Sequence, residues 1–192
     1  MNNYEYILAG APDFQVDTRS GFSPDAAIDE IVSLLSDSDR ETADLLLKGF
    51  IPDCLTEDFY REAAGSRSRF IREYFDFDRQ VRNVRAEFIN KAFDRDPGAG
   101  RILPDDDFDR KAEVNEILSG KDILKKEREI DALMWEKAES ISQFSIFDLD
   151  SVLSLVTRLK IVARWMNLDA ESGHAMLQKL VTQLRQNSNK EQ

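Results

Sequence analysis

FIREYFDFDRQVRNVRAEFINKAF, residues 70–93, places apolar side chains at Phe70, Tyr74, Phe77, Val81, Val84 and Phe88, in steps of four and three. An α-helix repeats every 3.6 residues, so all six fall on one stripe, and the spacing predicts one long helix from about 66 to 93. Arg72, Asp76, Arg79, Asn83, Glu87 and Asn90 follow a second helical stripe on the opposite side. Asp76 lies four residues after Arg72 and three before Arg79, a spacing that allows ion pairs along an exposed helix. That explanation leaves Asn83 unaccounted for, and also Arg85, which lies off the stripe. The alternatives are a buried polar network or a partner-facing surface. The six candidates for either role are Arg72, Asp76, Arg79, Asn83, Arg85 and Glu87. A partner surface predicts that Asp76→Ala combined with Arg79→Ala weakens binding more than folding; equal losses indicate a structural network.

Outward from this helix the chain reads as further helices. Ser23-Pro24 is a helix start, with Ile28, Ile31, Val32 and Leu35 on one face. Ser38 and Glu41 have capping-box spacing, Thr56 caps a short segment that Gly65 stops, and the run 96–100, DPGAG, breaks the chain after the long helix. Residues 106–118 and 121–140 read as two helices jointed at Ser119-Gly120, the first with acidic residues at its start. The run of alternating lysine, arginine and glutamate at 125–129 reads as a solvated face. Asp148 caps a second long helix whose apolar residues keep the three-and-four spacing, so the two long helices are expected to pack together. Residues 167–169 read as a kink or turn, and Leu177, Leu180, Val181 and Leu184 mark a last helix. Residues 4–14 are either a short strand or a helical turn. The expected architecture is all-α: seven to eight helices in one domain over 1–185, with a polar tail at 186–192.

Composition narrows the function. The 192 residues include 26 basic and 37 acidic side chains, a net charge of −11, with 42% hydrophobic residues. Such a balance disfavours nucleic acid and anionic membrane, whose binding needs a positive surface to displace counterions. Cys54 is the single cysteine, so no intrachain disulfide forms, and no apolar run reaches the ~20 residues that span a bilayer. A cytoplasmic protein without direct membrane insertion is expected. Gly98-Ala99-Gly100 lacks the continuation of a nucleotide-binding loop. Asp105, Asp107, Asp109 and Glu116 have calcium-loop spacing, but Arg110 stands where the tight turn requires glycine. His174, the one histidine, has no ligand or nucleophile near it in the sequence, and the arginines at 67, 69 and 72 read as a solvated helix start. No catalytic, cofactor-binding or metal-binding residue is predicted, and no small-molecule substrate.

Three stretches carry a family resemblance: YEYILAGAPDF at 4–14, YFDFDRQVRNVRAEF at 74–88, and the segment 147–181 beginning FDLDSVLSLVTRLKIVARW. In order and spacing they resemble the socket component of V-type ATP synthases and ATPases, the family designated C or d, and most of all its short bacterial members. The resemblance implies an all-helical, non-catalytic component linking the central shaft of a rotary ATPase to its membrane ring, in ion transport coupled to ATP. Its partners would be the other proteins of the motor, and it would lie at the inner face of the membrane through its complex. Two other functions fit the sequence: a free-standing helical adaptor that binds a protein through the polar stripe of residues 70–93, and a small helical hydrolase with clustered carboxylates around a metal. The hydrolase predicts a deep pocket with several convergent Asp or Glu side chains.

Overall fold

The computed structural model describes residues 4–18, 21–103 and 107–167. They form eight α-helices and one 3-10 turn, with no strand among the described residues: α1 Tyr4–Ala9, α2 Pro24–Ser33, α3 Asp37–Lys48, the turn Pro52–Cys54, α4 Glu57–Ala64, α5 Arg69–Ala92, α6 Lys111–Ser119, α7 Ile123–Ser142 and α8 Leu149–Asn167. The fold is all-α. Segment 4–14 resolves to a helix of six residues followed by irregular chain. The last helix expected around Leu177–Leu184, His174 and the tail at 186–192 lie outside the described residues. No helix among the described residues is long and apolar enough to cross a membrane.

Local capping explains most helix starts. Ser23, Thr56, Ser68 and Asp122 each accept a hydrogen bond from a backbone N–H three residues on, and Pro24 begins α2. Asp148 accepts from the Ser151 N–H at 3.0 Å before α8. Two starts differ from the sequence expectation. The cap of α3 is Ser36, which accepts from Asp39 N, so Ser38 lies inside the helix. Helix α6 begins at Lys111, leaving Asp107 and Asp109 outside it. At the far end of α5, Asp94 takes φ 52° while the Arg95 N–H bonds to the Asn90 carbonyl at 2.9 Å, a left-handed stop reached before the DPGAG run.

The core is built around α5. Phe70, Tyr74, Phe77, Val81 and Val84 are buried as the stripe required, Phe88 is half-buried against the same core, and Ile71 and Phe75 are buried beside them. Phe75 meets Phe59 of α4 edge-on at 4.8 Å, and Phe77 meets Phe108 at 5.5 Å. Such tilted aromatic pairs add roughly 0.5–1.5 kcal/mol beyond area burial. Gly49, at the end of α3, lets this cluster close: a Cβ there would stand 2.2 Å from the Phe75 ring and 2.9 Å from that of Phe59. The two long helices α5 and α8 do touch, but α7 lies along both and packs more extensively on each. Helix α8 also packs on α1 and α2, and its residues 152–157, VLSLVT, are all buried. The Thr157 hydroxyl is buried with no hydrogen-bond partner.

Candidate functional site

The second stripe of α5 faces inward. Arg79, Asn83, Glu87 and Asn90 are 6%, 2%, 8% and 8% exposed, and what covers them is the connection from α5 to α6. Asn83 pairs its carboxamide with the backbone of Ile102, donating Nδ2 to the carbonyl at 3.2 Å and accepting the N–H on Oδ1 at 2.8 Å. Asn90 Nδ2 donates to the Ala99 carbonyl at 2.7 Å. Arg79 donates to the Ile102 carbonyl at 3.5 Å and to Asp76 Oδ1 at 2.8 Å. A loop of this kind has backbone polar groups to satisfy and no ladder to satisfy them with; α5 supplies the partners from its side chains.

Glu87 gathers the cations of this region. Its carboxylate accepts from Lys91 at 2.6 Å, Arg101 at 2.9 Å and Lys111 at 2.8 Å. The hydrogen bonds from Lys111 and then Lys91 hold its pKa down, to about 2. Lys111 occupies the first position of α6, where the helix dipole disfavours a cation, and Glu87 offsets that cost. Of the six candidates, Arg79, Asn83 and Glu87 therefore form an internal network, and the buried-network alternative describes them. With Arg79 enclosed, Asp76→Ala with Arg79→Ala is expected to lower stability. Asp76 remains half-exposed at the rim. Arg72 closes the entry to α5, its Nη1 donating to the carbonyls of Ser66 at 2.7 Å and Arg67 at 2.9 Å. Arg69 reaches the Ile141 carbonyl at 2.6 Å and Asp150 at 3.2 Å, so these arginines tie helix ends together.

Arg85 belongs to a different place. It opens onto a cleft of about 1020 Å³ bounded by the outer flank of α5, by α7, by α8 and by the segment 49–55. Arg85 pairs with Glu127 of α7. Arg164 of α8 bridges Glu127 at 2.8 Å and Asp131 at 2.9 Å, and Asp131 also accepts the Trp165 indole N–H at 2.8 Å. Glu127, expected on a solvated face, is thus half-buried between two guanidiniums, which together hold its pKa below the usual range against the opposing effect of burial. Burial pushes Asp131 up, with Arg164 acting against it. On the other wall Asp78 Oδ2 accepts from the Tyr60 hydroxyl at 2.5 Å and from Arg82 Nε at 2.7 Å. Lys160 pairs with Asp25 at 3.0 Å. Phe50, Leu55, Met134 and Ile161 supply apolar wall.

Four carboxylates line this cleft, the count a hydrolase would want, but each is engaged by a cation. Among the described residues no three His, Cys, Asp or Glu side chains stand close enough to share a metal ion. The arrangement suits contact with a chain that is apolar in part and charged in part. It was not visible in the sequence because residues as distant as Asp25 and Lys160 meet in it; the nearest signal was Arg85, off the stripe and without a partner along its own helix.

A protein-family model described as "protein of unknown function (DUF2764)" matches residues 102–188, which include α6, α7 and α8. No curated protein matches the chain, and no solved structure does.

Proposed function

We propose that the chain is a non-catalytic component of a V-type rotary ATPase or ATP synthase, akin to its socket protein, joining the central shaft to the membrane ring by contact. The resemblance of residues 4–14, 74–88 and 147–181 supports this reading. One observation carries it further: the resembling stretch 74–88 turns Tyr74, Phe75, Asp78, Arg82, Arg85 and Ala86 to the open cleft. An open wall on the helix that carries the core is a surface on which a partner would dock. The stripe of Arg79, Asn83 and Glu87 is committed internally, so docking is assigned to the cleft.

The test is affinity purification of the tagged full chain from its native cells, followed by mass spectrometry. Recovery of the shaft and ring proteins is expected, together with their loss from Ala86→Trp, which fills the cleft from the α5 side. Recovery of no ATPase component refutes the reading. Recovery of a single unrelated protein, lost in the same variant, makes the chain a free-standing adaptor.

A further inference from the structure

Tyr74 is 3% exposed and lines the cleft, yet its hydroxyl has no hydrogen-bond partner among the described residues. Phe50, Phe70 and Phe75 surround the ring, at centroid distances of 6.4, 5.6 and 5.4 Å, so the ring is held in place. One helical turn further on, both hydrogen bonds to Asp78 fall on Oδ2 and none on Oδ1. Burial drives the Tyr74 pKa well up, and the carboxylates of Asp78 and then Asp131 add to it, which places the hydroxyl in the field of both acids. The Tyr74 oxygen and Asp78 Oδ1 are thus two acceptors one helical turn apart on the cleft wall, neither engaged by a donor among the described residues. Both oxygens are open to the cleft, where a donor entering it can reach them.

The donor that fits is cationic. In four of the five ion pairs that line the cleft, the carboxylate is less exposed than its basic partner: Asp78 under Arg82, Glu127 under Arg85 and Arg164, Asp131 under Arg164. The floor is thus acidic and the rim basic. The chain's net charge of −11 also favours encounter with a positive partner.

We propose that the cleft receives a segment of a partner protein in which a lysine or arginine, flanked by apolar residues, donates to Asp78 Oδ1 and to the Tyr74 hydroxyl. The flanking residues lie on Phe50, Leu55, Met134 and Ile161. The proposal rests on the cleft-docking reading above and names the chemistry of the contact.

The experiment places p-benzoylphenylalanine at position 89, where Ile89 borders the cleft and is half-exposed, in the full chain in its native cells. Crosslinked peptides are sequenced by mass spectrometry, in the parent and with Tyr74→Phe or Asp78→Asn added. A partner peptide carrying Lys or Arg among apolar residues is expected, with yield down about tenfold in both variants. Tyr74→Phe should leave Tm unchanged, because its hydroxyl holds nothing inside the protein, so this variant decides the matter even if Asp78→Asn disturbs folding. Crosslinks to residues 168–192 of the same chain or to a second copy overturn the proposal. So do a partner peptide without Lys or Arg, an absence of crosslinks, or a Tyr74→Phe yield equal to the parent. If ATPase components copurify but none crosslinks at position 89, this proposal fails and the functional reading stands. If a basic segment of an unrelated protein crosslinks there, the reverse holds.

Discussion

Replacing Asn83 by alanine should unfasten the α5–α6 connection. The carboxamide makes a two-point pairing with the Ile102 backbone, at 3.2 and 2.8 Å, from a side chain that is 2% exposed. Each such bond contributes on the order of 1 kcal/mol net. Ile102 is half-buried, so its released N–H regains water only in part, while its carbonyl keeps only the 3.5 Å contact from Arg79, at a further cost of about 1 kcal/mol. The expected loss for Asn83→Ala is therefore about 2–3 kcal/mol. Asn90→Ala, which removes the single 2.7 Å bond to Ala99, should cost about half as much by the same count. Urea unfolding followed by circular dichroism gives both values. Hydrogen exchange supplies the local readout, since the Ile102 amide should lose protection in Asn83→Ala. A loss below about 0.5 kcal/mol, half the contribution of one bond, would refute the reasoning, as would unchanged exchange at Ile102.

Three further outcomes are expected. Glu87, with its folded pKa at about 2, contributes stability that is present above its unfolded pKa, near 4.3, and lost as pH falls from there towards 2; Glu87→Gln should flatten the acid limb of a stability-versus-pH curve between those values and leave the rest of its shape unchanged. Gly49→Ala drives a methyl into the rings of Phe75 and Phe59 and should cost about 1–3 kcal/mol in chemical denaturation, the usual penalty for overpacking. Thr157→Val removes a buried hydroxyl that has no partner and should raise stability, by up to about 1 kcal/mol; a lower Tm would show that the hydroxyl is satisfied in solution.

What was legible in the sequence was local. Ser23, Thr56 and Asp148 announced helix starts because a cap acts within three residues, and the 70–88 seam announced the core because its period is that of the helix. The inward turn of Asn83 and Glu87 was not legible: their partners lie on a glycine-bearing loop and the helix start beyond it, with no periodicity to reveal them, and a stripe of Arg, Asp, Asn and Glu looks alike whether water or protein satisfies it. Asn83 and Asn90, seven residues apart and followed by such a loop, were the available hint. The place of α7 between α5 and α8 was missed because matched seams say which faces are apolar and not which pairs meet. The cleft was hidden for a similar reason, since it exists where four segments fail to close.

The hold of α5 on its connection constrains length more than composition. Asn83 and Asn90 lie two helical turns apart, about 10 Å, and grip Ile102 and Ala99 on either side of the left-handed Gly100. The loop thus runs against the helix in a fixed register, read through carbonyls that every amino acid possesses. Between residues 99 and 102 an inserted or deleted residue breaks the match whatever its side chain. Ahead of Ala99, in the exposed run 94–98, an extra residue only bulges into solvent. Over generations of drift, relatives of this chain should differ in how many residues precede Ala99 and agree on how many separate it from Ile102.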